Sequence, residues 1–241
     1  MTQFLATPPL FDATILQRLA DDMDRLGCGA PLTQPQVDAL IQRWQSIVRP
    51  LPRHQEPFDL VSDDGETIGV IAPRWLCHLL GLCHRAVHLA LRTPQDWLAL
   101  QVRGWQVDGP GLLDLSVTGH VRAGLSWQEA IQCEAAEELG LDLAPAAGML
   151  TPAGLVAVGR PYRRYEVDSA NPPVYACHVT QIFTATLTPA GLASLRFVDG
   201  EVIGLYLASF DGVDRMMKEA PDRLAPGLAQ SWSHYAAACR G

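Results

Sequence analysis

The sequence predicts an α+β protein in which helices pack on a mixed sheet, preceded by a small helical module. Two amphipathic helices and a hairpin open the chain, and short apolar strands follow from about residue 84. One strong helix interrupts these strands, and two further helices close the chain. Strands interrupted by a central helix are typical of a mixed sheet covered by helices. We therefore divide the chain into an accessory module, residues 1–80, and a larger domain, residues 81–241.

The accessory module begins with two amphipathic helices. Asp12 can cap the first helix and Gly27 can end it, because short polar side chains favour helix starts and glycine favours helix ends. The second helix opens with a capping box formed by Thr33 and Gln36. Apolar residues recur at helical spacing in both: Ile15, Leu16, Leu19, Met23 and Leu26 in the first, then Val37, Leu40, Ile41, Trp44, Ile47 and Val48.

Alternating apolar residues predict the strands. An Asp63-Asp64-Gly65 turn between two such runs indicates a hairpin over residues 58–71. Further helices are expected after Ser209 and near Pro226. The later strands are expected at residues 86–91, 97–102, 112–118, 154–158, 174–187 and 202–207.

The composition excludes several classes of protein. Hydrophobic residues make up 48% of the chain and charged residues 18%, which is typical of a globular protein. The net charge of −8 argues against nucleic acid as a partner, because binding a phosphate backbone needs a basic surface. No apolar run is long enough to span a membrane, and no signal peptide is evident. Six cysteines without a CxxC pair indicate free thiols, so we expect a cytoplasmic protein.

One stretch carries the strongest chemical signal, GHVRAGLSWQEAIQCEAAEELGL over residues 119–141. Ser126 and Glu129 form a capping box, and Gly140 stands where a helix-ending glycine belongs, so we expect a helix over residues 126–139. Four apolar residues spaced by four predict its buried face: Trp127, Ile131, Ala135 and Leu139.

Three glutamates share one side of this helix. Glu134 and Glu138 lie almost above one another, and Glu137 lies about 60° to the side. Neighbouring carboxylates repel one another, and the negative end of the helix dipole adds to the cost. A divalent cation such as Mg²⁺ or Mn²⁺ would compensate both. The spacing alone favours a solvated acidic helix end over a metal site.

The same stretch resembles the Nudix box. In that motif a glycine precedes a glutamate by six residues, and an Arg-Glu pair, a Glu-Glu pair and a Gly follow at fixed spacing. Gly119, Glu134, Glu137, Glu138 and Gly140 match it in register, with Ala135 and Leu141 at its apolar positions. The resemblance implies an α-β-α sandwich, with the motif as a loop–helix–loop.

Three positions depart from the motif. Leu125 stands in place of the first glutamate, Cys133 in place of the arginine, and His120 where a second glycine is usual. The glutamate and arginine support the loop by a salt bridge in the family, and losing one alone would leave an unpaired charge. Their joint loss indicates a replaced structural brace. The surrounding sequence, residues 109–131, resembles the Nudix subgroup related to thiamine pyrophosphokinase, which also carries a helical N-terminal module.

The resemblance implies hydrolysis of a small diphosphate, either thiamine diphosphate-like or a nucleoside diphosphate derivative, with Mg²⁺ or Mn²⁺ as cofactor. Glu134 and Glu138 would bind the metal, Glu137 would be a ligand or a base acting through water, and the Gly119 carbonyl could complete the shell. The N-terminal module could shape one wall of the pocket or form a homodimer contact.

Other residues are candidates with equally ordinary explanations. Glu201 lies where many Nudix proteins have an extra carboxylate, although it could be a plain turn residue. Arg103 could bind a substrate phosphate or be a surface charge. Arg163, Arg164 and Tyr165 belong to a basic and aromatic cluster, residues 159–168, that could clamp a diphosphate bearing a ring or form a plain surface loop.

Two alternatives to a hydrolase remain. The altered box could leave a sensor that binds a diphosphate without turning it over. An isomerase on the same fold would need a catalytic cysteine, and Cys133 and Cys177 are available, although neither lies in a matching motif. Cysteines and histidines at residues 77, 78, 83, 84 and 88 also suggest zinc, but their spacing does not form paired ligands, and ordinary helix and half-buried strand positions are favoured.

Overall fold

The computed structural model of the protein describes residues 10–27 and 32–240, so Cys28 lies outside it. The chain forms two compact units. Unit 1 comprises Met1–Arg85, Val121–Gly124 and Tyr162–Val179. Unit 2 comprises Ala86–His120, Leu125–Pro161 and Thr180–Gly241. The predicted domain boundary at residue 80 stays a prediction.

Unit 1 contains the helical module and the hairpin that the sequence predicts. The Ile15 N–H donates to Asp12 Oδ1 (2.8 Å), and the Thr33 N–H donates to Gln36 Oε1 (2.8 Å), so both predicted caps are formed. The elements are α1 (Ala13–Gly27), α2 (Gln34–Val48), β1 (Pro57–Val61), β2 (Thr67–Pro73) and α3 (Arg74–Leu80), with a short 3₁₀ turn at Pro52–His54.

A buried carboxylate joins α1 to α2. Asp22 is 3% exposed, and it accepts hydrogen bonds from the Trp44 indole (3.0 Å) and from Arg43 (2.5 Å). The Trp44 ring is fully buried in the apolar core of this unit. Because burying an unpaired charge is costly, these partners are what allow Asp22 to lie there.

Unit 2 holds an antiparallel arrangement of strands with one parallel bridge. Strand β3 pairs with β6, and β4 pairs with both β5 and β9, antiparallel in each case. The parallel bridge joins Leu113 to Leu224. The strands are β3 (His84–Arg92), β4 (Leu98–Arg103), β5 (Leu113–Asp114), β6 (Val117–His120), β7 (Val156–Asp168), β8 (Val174–Thr186) and β9 (Val202–Ala208), of which β3, β7 and β8 continue from one unit into the other.

The helices of unit 2 start at caps that the sequence contains. Ser126 caps α4 and Ser209 caps α6, and each side chain accepts a backbone N–H. The helices are α4 (Trp127–Leu139), α5 (Pro189–Ser194), α6 (Phe210–Glu219) and α7 (Pro226–Arg240), with 3₁₀ turns at Pro145–Ala147 and Pro221–Arg223. No described helix is long and apolar enough to cross a membrane.

Several local predictions were wrong. Residues 159–168 are not a loop but most of strand β7, because this segment pairs with β8. The strand expected at 112–118 is broken into β5 and β6. Strand β3 is buried on both faces, not half-buried, so His84 and His88 lie inside the protein. Helices α3 and α5 were not predicted as helices in their own right.

Candidate metal centre

Helix α4 has the ends that the sequence predicts. The Ser126 hydroxyl accepts from the Glu129 N–H (3.2 Å), while the Glu129 carboxylate accepts from the Ser126 N–H (2.8 Å). Gly140 ends the helix in the left-handed region at φ 62°, a conformation that favours glycine. Three residues of the expected apolar column are buried, and Trp127 is half-buried. The helix is therefore fixed at both ends, which sets the direction of its glutamates.

Gly119 and Glu134 are in very close contact. A Cβ atom placed on Gly119 would lie 2.2 Å from Glu134 Cδ and 2.5 Å from Oε1. Gly119 lies in β6 opposite Val87 of β3, so its backbone is held in a strand. The missing side chain is what lets the Glu134 carboxylate lie directly against that strand, and this contact explains the first glycine of the motif.

Glu138 is the most deeply buried of the three glutamates, at 2% exposed. The Gln101 amide lies 3.4 Å from its Oε2 and 3.3 Å from the Thr118 hydroxyl, and the Thr118 backbone N–H also donates to the carboxylate. Gln101 was not among the predicted site residues, because only the pairing of distant strands brings it here. These contacts hold the Glu138 carboxylate in one place.

Three other carboxylates act on Glu138. Burial raises the pKa of Glu138 well above its usual range, and the carboxylates of Glu134, Glu201 and Asp199 raise it further. The Thr118 N–H opposes this shift. Three further carboxylates thus act on the buried Glu138: Glu134 is half-buried, and Asp199 and Glu201 are exposed. Glu201 was a predicted member of this group, whereas Asp199 was missed, although it lies only two residues before Glu201.

The position of the Asp199–Glu201 segment is fixed by its backbone. The Gly104 N–H donates to the Glu201 carbonyl (2.7 Å), and a Cβ on Gly104 would lie 1.9 Å from the Gly200 carbonyl oxygen. The Glu201 N–H in turn donates to the Asp199 carboxylate (2.9 Å). The end of β4 and the turn before β9 therefore lie against each other, which carries both carboxylates toward α4.

Glu137 differs from its neighbours because it is exposed. Glu134 is half-buried, so the three glutamates of α4 form a gradient from solvent to core. Leu125 and Cys133, the two departures from the motif, are both partly buried. Neither leaves an unpaired charge in the loop before α4.

Arg103 binds within its own loop. Its Nε donates to the Asp108 carbonyl (2.7 Å) and its Nη1 lies 3.2 Å from the buried Asp114 carboxylate. These contacts give Arg103 a structural role in holding the turn between β4 and β5. Its contact with a substrate phosphate stays a prediction.

The other predicted substrate residues lie on β7 in unit 1. Arg163 pairs with Asp63 (2.5 Å), and its Nη2 lies 3.6 Å from Cys177 Sγ. A hydrogen bond from Cys83, together with Arg163, lowers the pKa of Cys177 to about 7. Arg164 and Tyr165 follow on the strand: Arg164 is partly buried beside Glu166, while Tyr165 is 50% exposed. Their role in substrate binding also stays a prediction.

The carboxylates of unit 2 fit a hard divalent cation. The carboxylates of Glu134, Glu138, Asp199 and Glu201 offer oxygen ligands, which Mg²⁺ and Mn²⁺ prefer. A cation would also relieve the mutual repulsion that now raises the pKa of Glu138. Glu134, held against Gly119, and the buried Glu138 would hold the ion from two successive turns of α4.

We compared the chain with models of protein families, with curated proteins and with solved structures. No protein-family model matches the chain. The chain is 41% identical over 92 residues to Nudix hydrolase 3 of Arabidopsis thaliana, a match that covers 37% of the chain and only 12% of that relative. The matched stretch spans only a small part of that relative, which is much longer than this chain.

Solved structures resemble the chain over a larger share of its length. A Deinococcus radiodurans protein superposes with a TM-score of 0.53 at 20% identity, over 75% of this chain and 99% of that one. A MutT protein from Methanosarcina mazei gives 0.47 at 14% identity, over 66% and 96%. The chain has the Nudix fold, and over 92 residues its sequence is similar to that of a Nudix hydrolase.

Proposed function

We propose that the protein is a hydrolase that uses a divalent metal, Mg²⁺ or Mn²⁺, to cleave a diphosphate linkage in a small metabolite. The observation that carries the proposal is the buried Glu138 carboxylate, which lies close enough to the carboxylates of Glu134, Glu201 and Asp199 for them to raise its pKa beyond the effect of burial. Burying a charged carboxylate beside other carboxylates is costly unless a cation binds it. The Nudix fold and the sequence likeness support the same conclusion.

The residues of unit 2 would have different roles in hydrolysis, according to how deeply each one is buried. Glu134 and Glu138 would hold the ion, with the Gly119 carbonyl beside them and with Glu201 and Asp199 approaching from the turn before β9. Bound Mg²⁺ supplies neutralisation of diphosphate charge and lowers the pKa of a coordinated water. The exposed Glu137 would take a proton from an attacking water or act as a further ligand. Gln101 would keep the Glu138 carboxylate in position.

The substrate class is a diphosphate joined to another group. Thiamine diphosphate-like compounds and nucleoside diphosphate derivatives are both included, because the sequence around Pro110 resembles the thiamine-related subgroup while the wider superfamily acts on nucleotides. The matched relative is far longer than this chain, so its own substrate gives no choice between the two.

The second candidate is a diphosphate sensor without turnover. It is favoured by the replacement of the supporting salt bridge of the motif with Leu125 and Cys133. If the loop before α4 were less rigid as a result, binding could persist while the attacking water was poorly positioned.

The deciding experiment measures hydrolysis of a panel of diphosphates, with a phosphatase added to release phosphate from monophosphate products, with and without Mg²⁺, in the wild type and in Glu138→Gln. The panel contains thiamine diphosphate, its oxidised analogues, ADP-ribose, NADH and nucleoside diphosphates. We expect turnover that needs both the metal and Glu138. Metal-independent turnover, or full activity in Glu138→Gln, would contradict the metal centre, whereas tight binding without turnover would indicate the sensor.

A matched control comes from the same helix. Glu129→Gln makes the identical chemical change on α4, but glutamine can still complete the capping box with Ser126. This variant should retain the activity and the metal dependence of the wild type. A comparable loss in both variants would indicate damage to the helix, not removal of a metal ligand.

A further inference from the structure

Unit 1 contains a buried cluster of three imidazole rings that the proposed hydrolysis does not use. His78 in α3 is 4% exposed, His84 at the start of β3 is 0% exposed, and His178 in β8 is 5% exposed. We infer that these three histidines form a binding site for a nitrogen-preferring transition-metal ion of the Zn²⁺ class. This site would be separate in chemistry from the carboxylate centre, which suits a hard cation.

The spacing of the rings suits one ion. Each histidine offers a ring nitrogen that lies within 4.8 Å of those of the other two. The Nε2 atoms of His78 and His178 are 3.4 Å apart. Two nitrogens bound tetrahedrally to the same zinc ion stand about 3.3 Å apart, because each Zn–N bond is about 2.0–2.1 Å long. The closest pair therefore already has the separation that a shared ion requires.

His84 is oriented as a metal ligand is. Its Nδ1 lies 2.9 Å from the Leu82 carbonyl oxygen, so the proton on Nδ1 is donated there and the lone pair is on Nε2. A hydrogen bond from the second ring nitrogen to a carbonyl is the usual support of a ligating histidine. The Phe58 ring stacks on His84 with centroids 4.8 Å apart and an interplanar angle of 13°, which fixes the plane of the imidazole.

The surroundings of His78 and His84 favour the neutral form of both imidazole rings. Burial lowers the pKa of His78 well below its usual range and that of His84 to about 4, so neither ring must lose a proton before it binds a metal. Arg74 and Arg164 add positive charge, but each has a carboxylate partner, Glu56 at 3.8 Å and Glu166 at 3.4 Å.

One contact must change when the ion binds. Arg164 Nη2 lies 3.4 Å from His178 Nδ1, at the long limit of a hydrogen bond. When His178 binds through Nε2, its Nδ1 carries the proton, so Arg164 would turn fully to Glu166. The two forms differ by the movement of one arginine side chain.

A bound ion would cross-link segments of unit 1 that are distant in sequence. His78 and His84 are close in sequence, but His178 comes about a hundred residues later, and α3, β3 and β8 would be joined through the ion. Three nitrogen ligands leave one tetrahedral position for a further ligand or a water molecule. The competing explanation is a packed histidine cluster that binds no ion, and it predicts the opposite result in the following test.

The test uses the full chain, freed of metal with a chelator and then loaded with Zn²⁺ or Co²⁺. We expect about one equivalent to remain after desalting, the visible spectrum of tetrahedral Co²⁺, and a higher Tm. X-ray absorption of the zinc form should show nitrogen ligation by imidazole. Wild-type protein that retains no ion, or zinc bound by oxygen or sulfur alone, would overturn the inference without any variant.

Variants locate the site. His178→Gln and His84→Phe should each weaken binding by at least about tenfold, since even outer partners of metal ligands have effects of that size. His234→Gln removes an exposed histidine on α7 and should retain the ion. Unchanged affinity in folded His178→Gln and His84→Phe would contradict the assignment.

Discussion

At the scale of single residues, the close contact between Gly119 and the Glu134 side chain explains why the motif has a glycine at this position. Gly119 has an ordinary negative-φ strand conformation, so its requirement is space and not backbone freedom. The Glu134 side chain occupies the volume that any Cβ would need. A flexible side chain can move at little cost in stability, so the consequence of losing the glycine should be seen in metal binding.

We therefore expect Gly119→Ala to weaken Mg²⁺ binding by about tenfold, or about 1.4 kcal/mol, while Tm changes little. The new methyl group displaces the Glu134 carboxylate from its position. Calorimetric titration with Mg²⁺ measures the effect. Gly204→Ala is the control, since a Cβ there meets only a Val102 methyl at 4.0 Å. Equal affinity in Gly119→Ala and the wild type would show that Glu134 is not a ligand.

Glu138 gives a prediction about pH. Its pKa is raised in the folded state, so between pH 4.5 and the raised pKa the folded protein binds more protons than the unfolded chain. The contribution of Glu138 to the stability of the metal-free protein is therefore most favourable below pH 4.5 and is lost as pH rises through the raised pKa. Glu138→Gln removes this loss, because the amide never ionises.

Metal-free Glu138→Gln should thus melt at a higher temperature than the wild type at pH 8, and at a similar temperature at pH 4. A gain of about 1 kcal/mol corresponds to about 2–4 °C for a chain of this size. Saturating Mg²⁺ should reverse the order, since only the wild type gains the ion. A lower Tm for the metal-free variant at pH 8 would mean that Glu138 stabilises the fold by another route.

At the scale of elements, α4 was predictable because all its determinants are local. The Ser126 cap, the apolar column and the Gly140 end lie within fifteen residues, and the direction of the glutamates follows from helical geometry. The partners of Glu138 were not predictable in this way. Gln101 reaches it from β4, and Asp199 lies just before β9, which pairs with β4 although the two strands are about a hundred residues apart in the chain.

The same reason explains the wrong loop at residues 159–168. Glycine, proline and three arginines there indicate a loop, but pairing with β8 provides the hydrogen bonds that hold it as a strand. Tertiary pairing overrides local preference most easily in strands. His178, likewise, comes close to His78 only in the folded chain. The spacing of histidines along the sequence therefore does not predict that the three rings lie together.

The replaced brace of α4 can be tested as a pair. Leu125→Glu and Cys133→Arg should each lower stability by about 1–3 kcal/mol, because each places an unpaired charge in a partly buried position. The double variant should recover at least half of the summed loss by forming the salt bridge. Urea unfolding of the four proteins gives the coupling energy, and strictly additive losses would show that the two positions do not interact.

At the scale of the whole molecule, the sequence predicts the α+β class and the Nudix fold correctly, because the order of elements and the motif together define both. It does not predict how the chain is distributed between the two units. Residues 121–124 and 162–179 belong to unit 1, although both lie far beyond the predicted boundary at residue 80. A strand that continues from one unit into the other has no change of amino-acid composition at the boundary, so the sequence gives no sign of it.

This distribution has a consequence during synthesis on the ribosome. Val174 belongs to the apolar core of unit 1, so that core stays incomplete until the segment Tyr162–Val179 has emerged. About 75 residues, most of which belong to unit 2, separate that segment from Arg85, and translation through them takes roughly 4–15 s. Throughout that interval the nascent chain exposes apolar surface of α1, α2 and α3. We expect its yield in cells to depend on chaperones that protect nascent chains.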